Sequence, residues 1–127
     1  MSQTFNNTQP IYLQILQRLC RQVVRGEIKA GDKLPSVREM AILSGVNPNT
    51  VQRVYAELER LEIAEARRGL GSFITEDENR LRRLRKQLKN EQVESFIADM
   101  AETGFSPEEI LEGVREKLLD NKSGRGV

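Results

Sequence analysis

Apolar residues recur at Ile11, Ile15 and Leu19, and beside them at Tyr12, Leu16, Cys20 and Val23. Steps of three and four place these side chains on one broad stripe, which predicts an amphipathic helix from about Pro10 to Gly26. Cys20 lies inside the stripe and reads as a small buried hydrophobe. Gly26 and Gly31 bracket a loop whose inward anchors are Ile28 and Leu34. Ser36-Val37-Arg38-Glu39 then has the form of a capping box, in which serine and glutamate satisfy each other's free backbone N–H groups. It opens a short helix with Val37, Met40 and Ala41 turned inward, and Gly45 ends it.

A third helix starts two residues later. Asn47 is a good N-cap, Pro48 suits the first helical position, and Val46 and Val51 stand where a hydrophobic staple would close over the cap. Val51, Val54, Tyr55, Leu58 and Leu61 share one face. Two helices joined by the tight turn Gly45-Val46-Asn47 predict a helix-turn-helix. From Ile63 to Ile74, two short strand-like pieces flank a basic, glycine-containing turn, which reads as a hairpin or wing.

The pattern changes after Thr75. Thr75 and Glu78 offer another capping box for a long helix ending near Thr103 and closed by Gly104. Leu81, Leu84 and Leu88 point one way along it. Val93, Phe96, Ile97 and Met100 point another, rotated by roughly 130° at about 100° per residue. Ser106, Pro107 and Glu109 start a last helix, with Phe105 and Ile110 as its staple and Ile110, Leu111, Val114 and Leu118 as its stripe. Asn121 to Val127 reads as a frayed tail.

Composition narrows the chemistry. The 127 residues contain no histidine and one cysteine. The commonest general base and transition-metal ligand is absent, and an ordinary zinc site cannot be assembled within one chain. The expectation is a protein that is not an enzyme and holds no metal or cofactor. The first ten residues are polar and no apolar run could span a bilayer, so neither a secretory signal nor a membrane partner is expected. A lone cysteine suits a reducing, cytoplasmic setting.

Net charge is only +1, but it is unevenly placed. Residues 1–75 carry ten Lys and Arg against seven Asp and Glu, a balance of +3; residues 76–127 carry ten against twelve, a balance of −2. A nearly neutral chain can still present a basic face.

The polar face of the third helix carries Asn49, Gln52, Arg53, Ala56 and Arg60. Asparagine, glutamine and arginine are the side chains suited to bidentate reading of purine edges in the major groove. Ala56 among them allows close approach. The helix start, Asn47 to Thr50, offers N–H groups and a positive dipole end to a phosphate. Alone, such a face is usually just solvated; as the second helix of a helix-turn-helix it becomes a reading surface. Ser36 and Arg38 stand on the helix that would cross the DNA backbone. The alternative for Arg38 is a surface ion pair with Glu39 or Glu57. Arg67, Arg68, Gly69 and Gly71 suit a wing that approaches sugar and phosphate closely, or glycines needed only for the turn.

The runs Pro10 to Ile15, Gly31 to Glu39, Gly45 to Val51 and Arg67 to Phe73 resemble the GntR family of bacterial transcription regulators, over residues 9–76. The resemblance implies operator binding as a dimer. It implies contacts from Arg38, Asn47, Asn49, Thr50, Gln52 and Arg53 and from the wing tip near Arg68 and Gly69. Leu70 departs from the pattern, standing where a polar or basic residue is usual. The short remainder is similar to that of the YtrA-like group, whose members commonly regulate transporter operons.

The expected organisation is mainly α. A winged helix-turn-helix domain spans 9–76, a helical dimerisation segment 77–122 and a disordered tail 123–127. Two apolar stripes on one helix call for two partners. Val93, Phe96, Ile97 and Met100 with Ile110, Val114 and Leu118 are the expected dimer seam, against the alternative of a monomeric hairpin folded on its own domain. The basic cluster Arg80 to Lys89 is either the solvated side of that helix or an extra phosphate contact. The expected partners are double-stranded operator DNA, a second copy and a small-molecule effector held in a cleft between the two parts or at the seam. The expected function is a homodimeric repressor binding an inverted repeat. The competing reading is a winged-helix protein-interaction module.

Overall fold

The computed structural model describes residue 5 and residues 8–124, the last four through their backbone alone. The chain divides into two compact units, Met1–Lys86 and Gln87–Val127. The sequence predicts a boundary at residue 76; the two compact units meet inside a helix, between Lys86 and Gln87.

In the first unit, α1 (Ile11–Arg25) buries Ile15, Leu16, Leu19, Cys20 and Val23 along the predicted stripe. Ile11, expected in that stripe, is 44% exposed because it opens the helix at its rim. The helix has no side-chain cap on Pro10. Gln14 is buried instead and its Nε2 donates to the Gln9 carbonyl at 2.9 Å, tying the helix start to the segment before it. α2 (Val37–Ser44) has the predicted capping box: Glu39 N–H donates to Ser36 Oγ at 3.1 Å and Ser36 N–H to Glu39 Oε1 at 2.9 Å.

α3 (Pro48–Arg60) buries Val51, Val54, Tyr55 and Leu58 and packs on both α1 and α2. Leu61, expected on this face, is 39% exposed rather than buried. The helix has already stopped: Glu62 turns left-handed at φ 63°, and Ile63 N–H donates back to the Leu58 carbonyl at 2.9 Å. That bond is the six-to-one closure of a Schellman turn, and it delivers Ile63 to the core in place of Leu61.

β1 (Ala64–Arg67) and β2 (Gly71–Ile74) form the antiparallel hairpin, with Ala64 opposite Ile74 and Arg67 opposite Gly71. Lys33 adds a bridge to Phe73 on the other side of β2, flanked by bonds from Leu34 N–H to Ser72 O and from Ile74 N–H to Asp32 O, both 2.8 Å. The wing thus grows from a small sheet anchored by Ala64, Leu34 and Ile74 in the core. Every buried side-chain nitrogen and oxygen among the described residues has a hydrogen-bond partner.

α4 (Glu78–Glu102) runs across the division. Thr75 is not its cap. Its Oγ1 accepts from Asp77 N–H at 3.1 Å, and Asp77 Oδ1 accepts from Asn79 N–H at 2.9 Å, so the cap moves to the aspartate and the helix begins later. Leu84 is buried, and Leu81 and Leu88 are partly so.

In the second unit, α4 ends at Gly104, whose φ is 102°, and α5 (Pro107–Gly124) starts on the expected capping box. Glu109 N–H donates to Ser106 Oγ at 3.1 Å and Ser106 N–H to Glu109 Oε1 at 2.9 Å. Its helical backbone continues past Asn121, where fraying was expected. The end of the expected tail, 125–127, lies outside the described residues.

Candidate functional site

The helix-turn-helix is held by its turn and by one long-range bond. Gly45 sits at φ 69°, a left-handed conformation that favours glycine, and Val46 N–H donates to the Ala41 carbonyl at 3.0 Å. Across the fold, Tyr55 Oη donates to the Pro35 carbonyl at 2.7 Å, fixing α3 to the entry of α2. Burial, aided by the Glu39 charge, pushes the Tyr55 phenol up to about 12, so it keeps its proton and this bond across the physiological range.

With Val51, Val54 and Leu58 buried, α3 turns Asn49, Gln52, Arg53 and Ala56 to solvent together, and Thr50 lies half-buried at the margin. Arg60, on the same face, pairs with Glu57 through its Nε. That pairing holds the Glu57 carboxyl below its ordinary value. The helix start offers fewer N–H groups than its sequence suggests. Asn47 Oδ1 accepts from Asn49 N–H at 2.7 Å, Thr50 N–H donates to the Asn47 carbonyl at 2.9 Å, and Pro48 has none. Asn47 keeps its amide NH₂ as an outward donor. The groups available to a nucleic acid here are therefore side-chain donors and acceptors.

Ser36 Oγ is used as the cap of α2, and its hydroxyl and backbone N–H both hold the Glu39 carboxylate. Arg38 is exposed and makes no ion pair among the described residues; Glu39 is held by Ser36 and Glu57 by Arg60. The two carboxylates proposed as its surface partners are thus already engaged.

In the wing, Arg68, Gly69 and Leu70 form the exposed tip. Gly69 has φ 75° with open space where a Cβ would stand, while at Gly71, φ 116°, a Cβ would meet Lys33 Cε at 3.1 Å. Gly71 is therefore required by the turn, and Gly69 leaves the tip smooth. Arg67 does not join Arg68 at the tip. Its guanidinium lies over the Phe73 ring, 4.2 Å from the centroid, and 3.6 and 3.7 Å from the Glu65 and Glu76 carboxylates. Leu70 is 60% exposed.

Much of the basic cluster on α4 is engaged locally. Arg80 reaches Glu62 at 3.4 Å and Asp77 at 3.5 Å, Arg82 donates to Asn79, and Arg85 Nη1 donates to the Val24 carbonyl at 3.2 Å.

The second unit contains an apolar cleft of about 400 Å³ between α4 and α5. Val93, Phe96 and Ile97 line one wall, Ile110 and Val114 the other, all five named by the sequence. Met100 and Leu118, named with them, are not in the lining, whereas Ala101, Phe105, Pro107 and Leu111 are. The signal for Phe105 and Leu111 was present in the staple and stripe of α5; the helix-to-helix turn at Gly104 is what brings Phe105 into the cleft.

The polar face of α3, the α2 entry and the wing tip belong to one winged helix-turn-helix, and the comparisons agree. The model of the bacterial regulatory proteins of the gntR family matches residues 11–74. The chain is 50% identical over 115 residues to YhcF, an HTH-type transcriptional regulator of Bacillus subtilis strain 168, covering 91% of this chain and 95% of that one. It is 39% identical over 122 residues to the HTH-type transcriptional repressor YtrA of the same strain, covering 91% and 90%. A solved GntR family transcriptional regulator from Listeria monocytogenes superposes with a TM-score of 0.82 at 42% identity, over 88% of this chain and 98% of that one. These relatives are transcriptional regulators, not enzymes, and the chain belongs to the GntR family of bacterial regulatory proteins.

Proposed function

We propose that this chain is a cytoplasmic, sequence-specific repressor that binds an inverted-repeat operator as a homodimer. Residues 9–76 are the DNA-binding domain and 77–122 the dimerisation segment. Gln52, Arg53 and Asn49 read base edges; Ser36, Arg38, Asn47 and Thr50 set the register on phosphate; Arg68 and Gly69 approach the minor groove. Arg67 supports the wing from within. The observation that carries the reading is the exposed set Asn49, Gln52, Arg53 and Ala56 on a helix fixed at its turn by Gly45 and at its flank by the Tyr55 to Pro35 bond. Groups held so firmly lose little freedom on binding, and their donor and acceptor types match purine edges. The name of YtrA, a repressor, supports the direction of regulation.

The cleft lined by Phe96, Ile97 and Ile110 supports pairing. Its lining is apolar, and a soluble chain that leaves such a patch open associates. Two linked readers then bind two half-sites. A small-molecule effector acts on the same pairing.

The test uses a duplex enriched by the full-length protein from a random-sequence library, beside a scrambled duplex of equal length. Gln52→Ala should cost about 1–3 kcal/mol on the enriched duplex and little on the scrambled one. Equal weakening on both removes α3 from base readout and leaves a protein that holds only the DNA backbone.

A further inference from the structure

Tyr12 belongs, by its spacing, to the apolar stripe of α1, yet it is only half-buried. Its ring instead carries the guanidinium of Arg53 from α3, with Cζ 3.6 Å from the ring centroid. That distance is van der Waals contact, which a cation reaches only from directly above the ring face; at the ring edge the centroid would be farther away. The two other such pairs among the described residues are looser, at 4.2 Å for Arg67 over Phe73 and 4.7 Å for Arg18 over Phe5. We propose that Tyr12 is a positioning residue for base readout: its ring face presets Arg53 on the reading helix. The proposal rests on the reading of Arg53 as a base contact.

The chemistry of the contact favours presetting over mere attachment. A guanidinium held by its flat face keeps its in-plane N–H donors available, and those donors are the ones that pair bidentately with guanine O6 and N7. A carboxylate partner would consume the same donors. Glu57, one turn along α3, is close enough for Arg53 to contribute to its lowered pKa, but its oxygens accept from Arg60 Nε. Arg53 makes no ion pair among the described residues. Its long side chain, which would otherwise sample many rotamers, is thus restrained by a contact that leaves its recognition edge open. Tyr12 sits on α1, which packs on α3 and buries Ile15 and Leu19, so the platform is as fixed as the core beneath it.

The experiment measures binding of the full-length protein to the library-enriched duplex and to versions of it substituted at each base pair in turn. The variants are Arg53→Ala, Tyr12→Phe, Tyr12→Leu and the double variant Tyr12→Leu with Arg53→Ala. Thermal melting checks folding, and Tyr12→Met, an unbranched filler, replaces the leucine variant if that one melts early. Tyr12→Leu should weaken discrimination by about two- to five-fold, the range of an exposed cation–π contact. The loss should fall at the base pairs where Arg53→Ala loses discrimination and nowhere else. Tyr12→Phe should match the wild type, and the double variant should be no worse than Arg53→Ala. Three outcomes overturn the proposal while leaving Arg53 as a reader. One is tighter binding by Tyr12→Leu, meaning that the ring parks Arg53 away from DNA. Another is an even loss at all positions. The third is a Tyr12→Phe loss equal to that of Tyr12→Leu, which assigns the role to the hydroxyl. If Arg53→Ala changes no base preference, the base-reading role of Arg53 fails first, and this proposal with it.

Discussion

In the first unit Val51, Val54 and Leu58 are 0% exposed, and Ile15 and Ile74 1%. In the second, Ile110 is the one buried apolar side chain among the described residues, while Phe96 is 42% and Leu111 62% exposed. Helix quality does not explain the contrast. Each unit has a helix opened by the same serine–glutamate box with the same bond lengths, 3.1 and 2.9 Å. The difference is in how many elements meet. Three helices and a hairpin enclose a core on all sides, whereas two helices share one contact and leave the rest of their apolar stripes outside. Since tertiary burial rather than local propensity supplies most helix stability, the first unit is complete as one chain, and the second leaves apolar surface for the proposed pairing to cover.

The largest effect should come from spoiling the surface that the second unit leaves open. Phe96→Asp places a charge in the apolar cleft, where no partner is available to neutralise it. The protein should become monomeric and lose the avidity of two linked readers, about 10² to 10⁴ in operator affinity. Sedimentation equilibrium and operator titration on the same sample would measure both. A dimer with full affinity would mean that the copies pair elsewhere and that the contrast between the units has another cause.

Truncations inside the two units should differ in kind. Leu58→Ala removes a wholly buried side chain and should cost about 2–5 kcal/mol at any protein concentration. Leu111→Ala removes a mostly exposed one that lines the cleft. Its cost should grow with protein concentration if, as proposed, it acts on a dimer that mass action populates. Urea titrations at low and high protein concentration would separate the two. A Leu111→Ala cost independent of concentration would show that the hairpin is stable on its own account.

Charge should divide the units as burial does. Arg68, exposed at the wing tip, should account for about 0.9 of the log–log salt slope if it neutralises one phosphate. Lys89→Ala, on the second unit's part of α4, should leave that slope where it was. A fall in slope for Lys89 of the same size would bring the helical segment into the DNA contact.

What could be read from the sequence followed the same division. The first unit announced itself through local signals with one meaning each: Ser36 with Glu39, Gly45, Asn47 with Pro48, and the glycines of the wing. Where a local signal is missing, apolar spacing alone misleads. No glycine marks the end of α3, because Glu62 takes the left-handed turn that glycine usually takes, so apolar spacing points to Leu61 for the core place that Ile63 fills. Thr75 and Glu78 had the right spacing for a box, but Asp77 between them captured the cap. The stack of Arg53 on Tyr12 joins residues far apart in sequence, and Arg67 is turned by Phe73 and Glu76 from across the hairpin; periodicity relates neither set. In the second unit both walls of the cleft were legible, but its lining shifted from Met100 and Leu118 toward Phe105 and Leu111 because the turn at Gly104 sets how the helices face.

The smallest expected effect is a pH dependence in the first unit. The Ser36 backbone N–H and hydroxyl hold the Glu39 carboxyl below its ordinary value. A carboxyl whose folded pKa is depressed adds stability above its unfolded pKa, and that stability disappears as pH falls through the folded value. Glu39→Gln keeps the geometry, since glutamine also fills the third position of a capping box, but has no charge to lose. Between about pH 6 and pH 3 the wild type should therefore lose more stability than the variant, with the excess confined to the carboxylate range. Glu39 is exposed and solvent screens it, so the excess should be slight and should shrink with added salt. Urea midpoints for both proteins across that range would measure it. Parallel acid losses would show that the box holds α2 through its hydrogen bonds alone and that the charge on Glu39 contributes nothing to the fold.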